Sequence, residues 1–158
     1  MEFILRPATK EDLPEVLKLI QELALYERAP QEVTVTLNEL AEDGFGERPL
    51  YEIILALSGT ELLGMSFYFI SYSTWKGKCI YLEDIIVKEK YRGNNIGKTL
   101  FDAVVMKAKE FGAKRLQWQV LNWNEPAIGF YKKYNASMDE TWLNGKLTEK
   151  QIQEFIPA

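Results

Sequence analysis

Apolar positions along this chain switch between two periods, and the switches outline its elements. FILRPA reads as a first strand. Thr9, three positions before Asp12, forms a capping-box pattern, and Leu13, Val16, Leu17, Ile20, Leu23 and Ala24 then recur at the spacing of one helix face. Thr36 and Glu39 announce a second, short helix that Gly44 is expected to end. The period then shortens. YEIILAL and LLGMSFYFISY are strand-length apolar runs joined by the turn SGTE, which predicts an antiparallel hairpin, and KCIYLEDIIV follows as another strand. Ile96, Leu100, Val104, Ala108 and Phe111 return to helical spacing, and Gly112 stops that helix. KRLQWQVL is the next predicted strand. Asn124-Glu125-Pro126 starts a helix with a capping residue and a first-turn proline; it carries Ile128, Phe130, Tyr131 and Tyr134 until YNAS breaks it. A late strand over 138–143 and a short capped helix from Thr148 complete the pattern. No repeat, low-complexity stretch or linker interrupts it, so residues 1–158 read as a single α/β domain with a mixed sheet.

Composition narrows the chemistry mainly by what is missing. A length of 158 residues with 47% hydrophobic and 27% charged residues suits one domain with a substantial core. The net charge of −4 argues against nucleic-acid binding through broad electrostatics and suits a cationic small substrate. There is no histidine, which excludes Ser-His-Asp, Cys-His and histidine-metal sites. The single cysteine, Cys79, excludes an intrachain disulfide and a multi-cysteine zinc site, and fits a reducing compartment. Within its strand-like run it reads as a small buried hydrophobe. The longest apolar run, LLGMSFYFI, is too short for a membrane span, and no signal-peptide pattern is present. The expected setting is the cytoplasm, with no membrane and no metal.

The stretch KYRGNNIGKT, residues 90–99, invites a phosphate-binding reading. A nucleotide P-loop needs Gly-x4-Gly-Lys-Ser/Thr, but the first glycine position, counted back from Gly97, holds Arg92. Starting from Gly93 leaves the loop one residue short, and no later strand ends in an aspartate suited to magnesium. What survives is a glycine-punctuated turn from strand to helix, flanked by the cations Arg92 and Lys98. The unpaired N–H groups of a helix start favour an anion there. On spacing alone, an anion cradle and a plain tight turn both remain open.

Arg92-Gly93-Asn94-Asn95-Ile96-Gly97 resembles the acetyl-CoA pyrophosphate loop of the GNAT N-acetyltransferases, with Asn95 where glycine is usual. Asparagine tolerates the left-handed backbone such a turn requires. RPAT, EDGFGERP, YSTWKG, YLEDIIV and WNEPAIGFYKK, in this order, look like the spermidine/spermine and thialysine N-acetyltransferase branch of that family. The resemblance implies a GNAT fold: a central mixed, mostly antiparallel sheet splayed between its fourth and fifth strands, flanked by helices, with acetyl-CoA in the cleft. It also implies a homodimer. The backbone of Ile85, Ile86 and Val87 would then meet the pantetheine arm. Arg92, Gly93, Asn94, Asn95, Ile96, Gly97 and Lys98 would hold the pyrophosphate, and Asn124 and Ala127 would contact the same co-substrate. Tyr131 matches the family's general acid and Glu83 its base, acting through a water. Tyr26, Glu27, Trp75 and Glu83 match positions lining the amine pocket.

The chemistry asks for such residues. An amine with a pKa of about 10 must lose a proton before attacking a thioester, and the departing thiolate benefits from a nearby acid. A tyrosine stays protonated at neutral pH and can donate, although Tyr131 also fits as a packed aromatic on its helix. Side-chain alternation puts Glu83 and Asp84 on opposite faces of a strand that is otherwise apolar, where a carboxylate is costly unless paired or hydrated. Asp84 is expected to be a structural carboxylate bonded to backbone or to a lysine. Tyr26 and Glu27 also fit an exposed helix end, and Trp75 a packed loop aromatic. Polyamine enzymes of the branch tend to carry an acidic residue in YDPW; here Ser73-Thr74 precede Trp75. A small amine or lysine analogue such as thialysine is therefore the expected substrate, with a polyamine or diamine as the alternative. A CoA-binding regulatory domain without turnover is the non-enzymatic alternative.

Overall fold

The structure, a computed structural model, describes residues 1–157. It comprises two compact units, Met1–Gln119 and the segment from Val120 onward. In the first, the strands β1 (Ile4–Pro7), β2 (Glu52–Ser58), β3 (Glu61–Ser73), β4 (Gly77–Val87) and β5 (Arg115–Gln117) form one sheet in chain order. Every pair is antiparallel except β4 with β5, which is parallel. The helices are α1 (Leu13–Tyr26), α2 (Leu37–Phe45) and α3 (Ile96–Phe111).

One sheet face is closed by α1 and α2. Leu13, Val16 and Leu19 from α1 and Leu40 from α2 are buried with Ile53, Leu55, Met65 and Ile86 from the strands. Full burial of one such side chain contributes about 1.5–3 kcal/mol, so this face is a major source of stability. Leu100, Phe101 and Val104 of α3 are also buried, and α3 packs against β2, β3 and β4. The central strands approach closely at Gly64: a Cβ there would stand 2.5 Å from the Ile86 carbonyl oxygen.

Three sequence expectations shift. Gly44 lies inside α2, and Gly46 is the residue that caps it. A Cβ at Gly44 would stand 2.3 Å from the Tyr51 ring, so this glycine makes room for an aromatic rather than ending a helix. The strand predicted over 114–121 shrinks to Arg115–Gln117, paired only with Cys79–Tyr81. Beyond Tyr81 β4 has no pairing with β5, and its pairing with β3 carries a bulge at Glu83. No strand forms over 138–143 among the described residues. Asp139 instead accepts a hydrogen bond from the Thr141 amide at 2.8 Å, a local turn that competes with extended pairing.

The second unit holds α4 (Glu125–Lys132) and α5 (Glu149–Gln153). Asn124 caps α4, and Asn135, at φ 57°, turns the chain away after it. Thr148 and Gln151 form the capping box expected at the start of α5.

Candidate active site

The 92–98 turn has backbone geometry that suits an anion. Gly93 (φ 82°) and Asn95 (φ 60°) both adopt left-handed backbone, the asparagine taking the conformation that glycine would take more cheaply. The Asn94 side-chain amide donates to the carbonyls of Tyr91 (3.1 Å) and Arg92 (3.3 Å), pinning the turn from within. The Asn95 carbonyl accepts from the Thr99 amide at 2.9 Å, the first bond of α3, so the amides of Ile96, Gly97 and Lys98 precede the helical ladder. Such orphan N–H groups, with the helix dipole behind them, fit the charge and size of a pyrophosphate. Arg92 donates from Nε to the Val87 carbonyl at 3.2 Å, tying the turn to the end of β4. Lys98 is ion-paired with Asp102 one turn along the helix. Ile85 and Val87 are half-buried and Ile86 buried, on the part of β4 that lies beyond its pairing with β5.

The carboxylates depart from expectation. Phe67 pairs with Asp84 and Tyr68 with Leu82, which leaves Glu83 as the extra residue of a bulge. Strict alternation is interrupted at this point, where Glu83 is exposed and Asp84 half-buried. Asp84 lies in register with Phe67, on the face that Met65 and Ile86 share with α1 and α2. It has no hydrogen bond among the described residues, so the structural carboxylate held by backbone or lysine is not what forms. Burial raises its pKa to about 7, assisted by repulsion from Glu83 and Glu27. Burial likewise raises the Glu27 carboxyl. The Tyr81 hydroxyl is raised by burial and then by the charges of Glu83 and Asp84. Glu27, Glu83 and Asp84 thus share one electrostatic neighbourhood, with Glu83 the exposed member. A carboxyl poised near neutrality is what proton removal from an ammonium needs. Periodicity alone could not find this, because a bulge is a property of two paired strands.

Tyr26 ends α1 beside Glu27, and its ring lies under the Arg92 guanidinium, 5.0 Å from centroid to cation. The structure thereby joins a residue of the expected amine pocket to one of the expected pyrophosphate loop. Trp75 stands apart. It occupies the tip of the β3–β4 hairpin, 82% exposed. Glu83 lies six positions along β4 from Gly77, about 20 Å at roughly 3.3 Å per residue.

In the second unit, the Asn124 side-chain oxygen accepts from the Ala127 amide at 3.3 Å, so the two residues expected at the co-substrate make the cap of α4 together. Tyr131 lies on α4, only 5% exposed, in edge contact with Phe130 at 5.1 Å.

A left-handed turn between β4 and α3, with unpaired amides at the helix start, suits a phosphate-bearing co-substrate. The sequence profile of the acetyltransferase (GNAT) family matches residues 13–136, and the chain belongs to that family, whose members use acetyl-CoA as co-substrate. It is 41% identical over 145 residues to the thialysine N-epsilon-acetyltransferase of Bos taurus, covering 86% of this chain and 85% of that protein. It is 33% identical over 163 residues to the spermidine/spermine N(1)-acetyltransferase-like protein 1 of Homo sapiens, covering 97% of this chain and 24% of that protein. An integron cassette protein from the mobile metagenome of V. cholerae shares the fold, with a TM-score of 0.79 at 22% identity over 98% of this chain and 97% of its own. No helix among the described residues is long and apolar enough to cross a membrane.

Proposed function

We propose that this enzyme acetylates the primary amine of a small cationic substrate, a lysine analogue such as thialysine, by direct transfer from acetyl-CoA within a ternary complex. The observation that carries the reading is the neighbourhood of Glu27, Glu83 and Asp84: carboxylates that attract an ammonium, one of them raised to about 7 and able to take its proton. The similarity to thialysine acetyltransferases and the Ser73-Thr74 pair before Trp75 support the small amine over a long polycation. The three carboxylates favour a polyamine as the second reading.

In this scheme Glu83, through a water, or Asp84 accepts the proton that the ammonium gives up. The amine nitrogen then attacks the thioester carbonyl, the C–N bond forms, the nitrogen loses its second proton to solvent and the C–S bond breaks. The sulfur takes a proton from the Tyr131 hydroxyl, which solvent restores. The 92–98 turn holds the pyrophosphate, the backbone of Ile85, Ile86 and Val87 holds the pantetheine arm as an added strand would, and Asn124 and Ala127 complete the donor site. Tyr26, Glu27 and Trp75 line the amine side. The chain acts as one acetyltransferase domain without a metal, in the cytoplasm, as a homodimer; light scattering in solution tests the last point.

The deciding experiment is an acetylation screen with acetyl-CoA across thialysine, lysine, ornithine, short diamines, spermidine and spermine. The largest kcat/KM is expected for thialysine or another small amine. A spermidine or spermine value tenfold higher would transfer the assignment to the polyamine reading, and no product from any amine would refute both.

A further inference from the structure

The contact between Tyr26 and Arg92 joins residues assigned to opposite halves of the site. The guanidinium is fixed at two points: Nε donates to the Val87 carbonyl at 3.2 Å, and the charged carbon lies 5.0 Å from the centre of the Tyr26 ring. Its two terminal nitrogens carry no hydrogen bond to any described residue. An arginine on a four-bond tether samples many rotamers, and ordering it on binding an anion costs affinity. An arginine already held by its Nε and by an aromatic face presents its remaining fork with that cost largely removed. Arg92 immediately precedes Gly93, so the fork belongs to the same turn as the orphan amides of Ile96, Gly97 and Lys98.

We propose that Tyr26 is a positioning residue for the acyl donor: its ring preorganises Arg92 for the pyrophosphate, in addition to any contact its hydroxyl makes with the amine. The inference rests on the acetyl-CoA reading of the turn. It separates two parts of one side chain, since the ring serves the donor whatever the hydroxyl does.

The test is calorimetric titration of the free protein with CoA, with no amine present. A cation–aromatic contact at an exposed site corresponds to about a two- to fivefold change in affinity. Tyr26→Leu, which removes the ring, is expected to weaken CoA by that factor, while Tyr26→Phe keeps wild-type CoA affinity. In an Arg92→Met background, Tyr26→Leu is expected to add no further loss. S-acetylpantetheine, which lacks the pyrophosphate, is expected to bind wild type and Tyr26→Leu with equal affinity in the same amine-free titration. Equal CoA affinity of Tyr26→Leu and wild type overturns the proposal. So does a loss that persists undiminished without Arg92, or one that extends to S-acetylpantetheine. Normal CoA binding by a wild-type protein that acetylates no amine would refute the proposed function and leave this inference standing.

Discussion

Asp84→Asn is expected to stabilise the protein at neutral pH while damaging its activity. In the folded chain the Asp84 carboxyl is raised from 3.8 to about 7, first by burial and then by repulsion from Glu83 and Glu27. A raised carboxyl pKa means that the folded state holds its proton more tightly than the unfolded chain does. The native state is therefore favoured below about pH 4, and this advantage is lost as the pH climbs toward 7. At about 1.4 kcal/mol per pKa unit, a gap of about three units is worth at most about 4 kcal/mol. Asparagine removes that pH-dependent penalty but leaves a buried amide without a recorded partner, which costs about 1–3 kcal/mol. Relative to wild type, the variant should be destabilised by about that amount near pH 4. The difference should then swing in its favour by up to ~4 kcal/mol as the pH rises through 7. Urea unfolding of both proteins at several pH values measures the difference directly, because all other titrations are common to the pair. A difference independent of pH, or one that swings the opposite way, would refute the picture of a carboxyl strained by burial and repulsion. In activity, the same variant should lose most at neutral pH and recover toward alkaline pH, where more amine arrives already deprotonated.

Tyr131→Phe keeps the ring of a side chain that is only 5% exposed, and should lower kcat by about 10²–10⁴-fold with CoA affinity unchanged; an unaltered kcat with acetyl transfer rate-limiting would remove the acid role. Asp12 is held at about 2 by the two hydrogen bonds from Arg6, 2.7 and 2.8 Å. Its depressed pKa gives stability that is present above about pH 4 and lost as the pH falls toward 2, so Asp12→Asn should cost about 1–2 kcal/mol at neutral pH, after allowing for solvent at the exposed Arg6, and little near pH 2. Denaturant midpoints at the two pH values check this, and equal losses at both would contradict it. Gly64→Ala drives a Cβ to 2.5 Å from the Ile86 carbonyl oxygen and 3.1 Å from the Val87 Cα. It should destabilise by about 1–3 kcal/mol or more, and an unchanged urea midpoint would show that the strands part without cost.

What the sequence conveyed well was local. The buried positions Leu13 and Val16 of α1, and Ile96, Leu100, Val104 and Ala108 of α3, follow helical spacing. The left-handed Asn95 and Gly93 could be anticipated because their conformational tolerance is a property of single residues. Two of the failures share a cause: each needed a second segment. Gly44 looks like a helix stop until the Tyr51 ring occupies the space above it. The run over 114–121 has strand composition, but only Arg115–Gln117 finds β4 beside it.

The carboxylates carry this furthest, because there the unread pairing bears on the proposed chemistry. A regular β4 would pair every residue in turn with β3 and place successive side chains on alternate faces. The Phe67–Asp84 and Tyr68–Leu82 registers instead set one surplus residue into the strand, and that residue is Glu83. The bulge keeps Asp84 among the partly buried side chains of the α1 and α2 face, where water is scarce, while Glu83 stays exposed. Burial lifts Asp84, and the charges of Glu83 and Glu27 lift it further. The irregularity in the β3–β4 register therefore lies next to a carboxyl raised toward neutrality. Deleting Glu83 would restore the regular β3–β4 register and remove a charge in one step. The point variants at Glu83 and Asp84, which leave the register intact, are thus the ones able to separate proton transfer from fold.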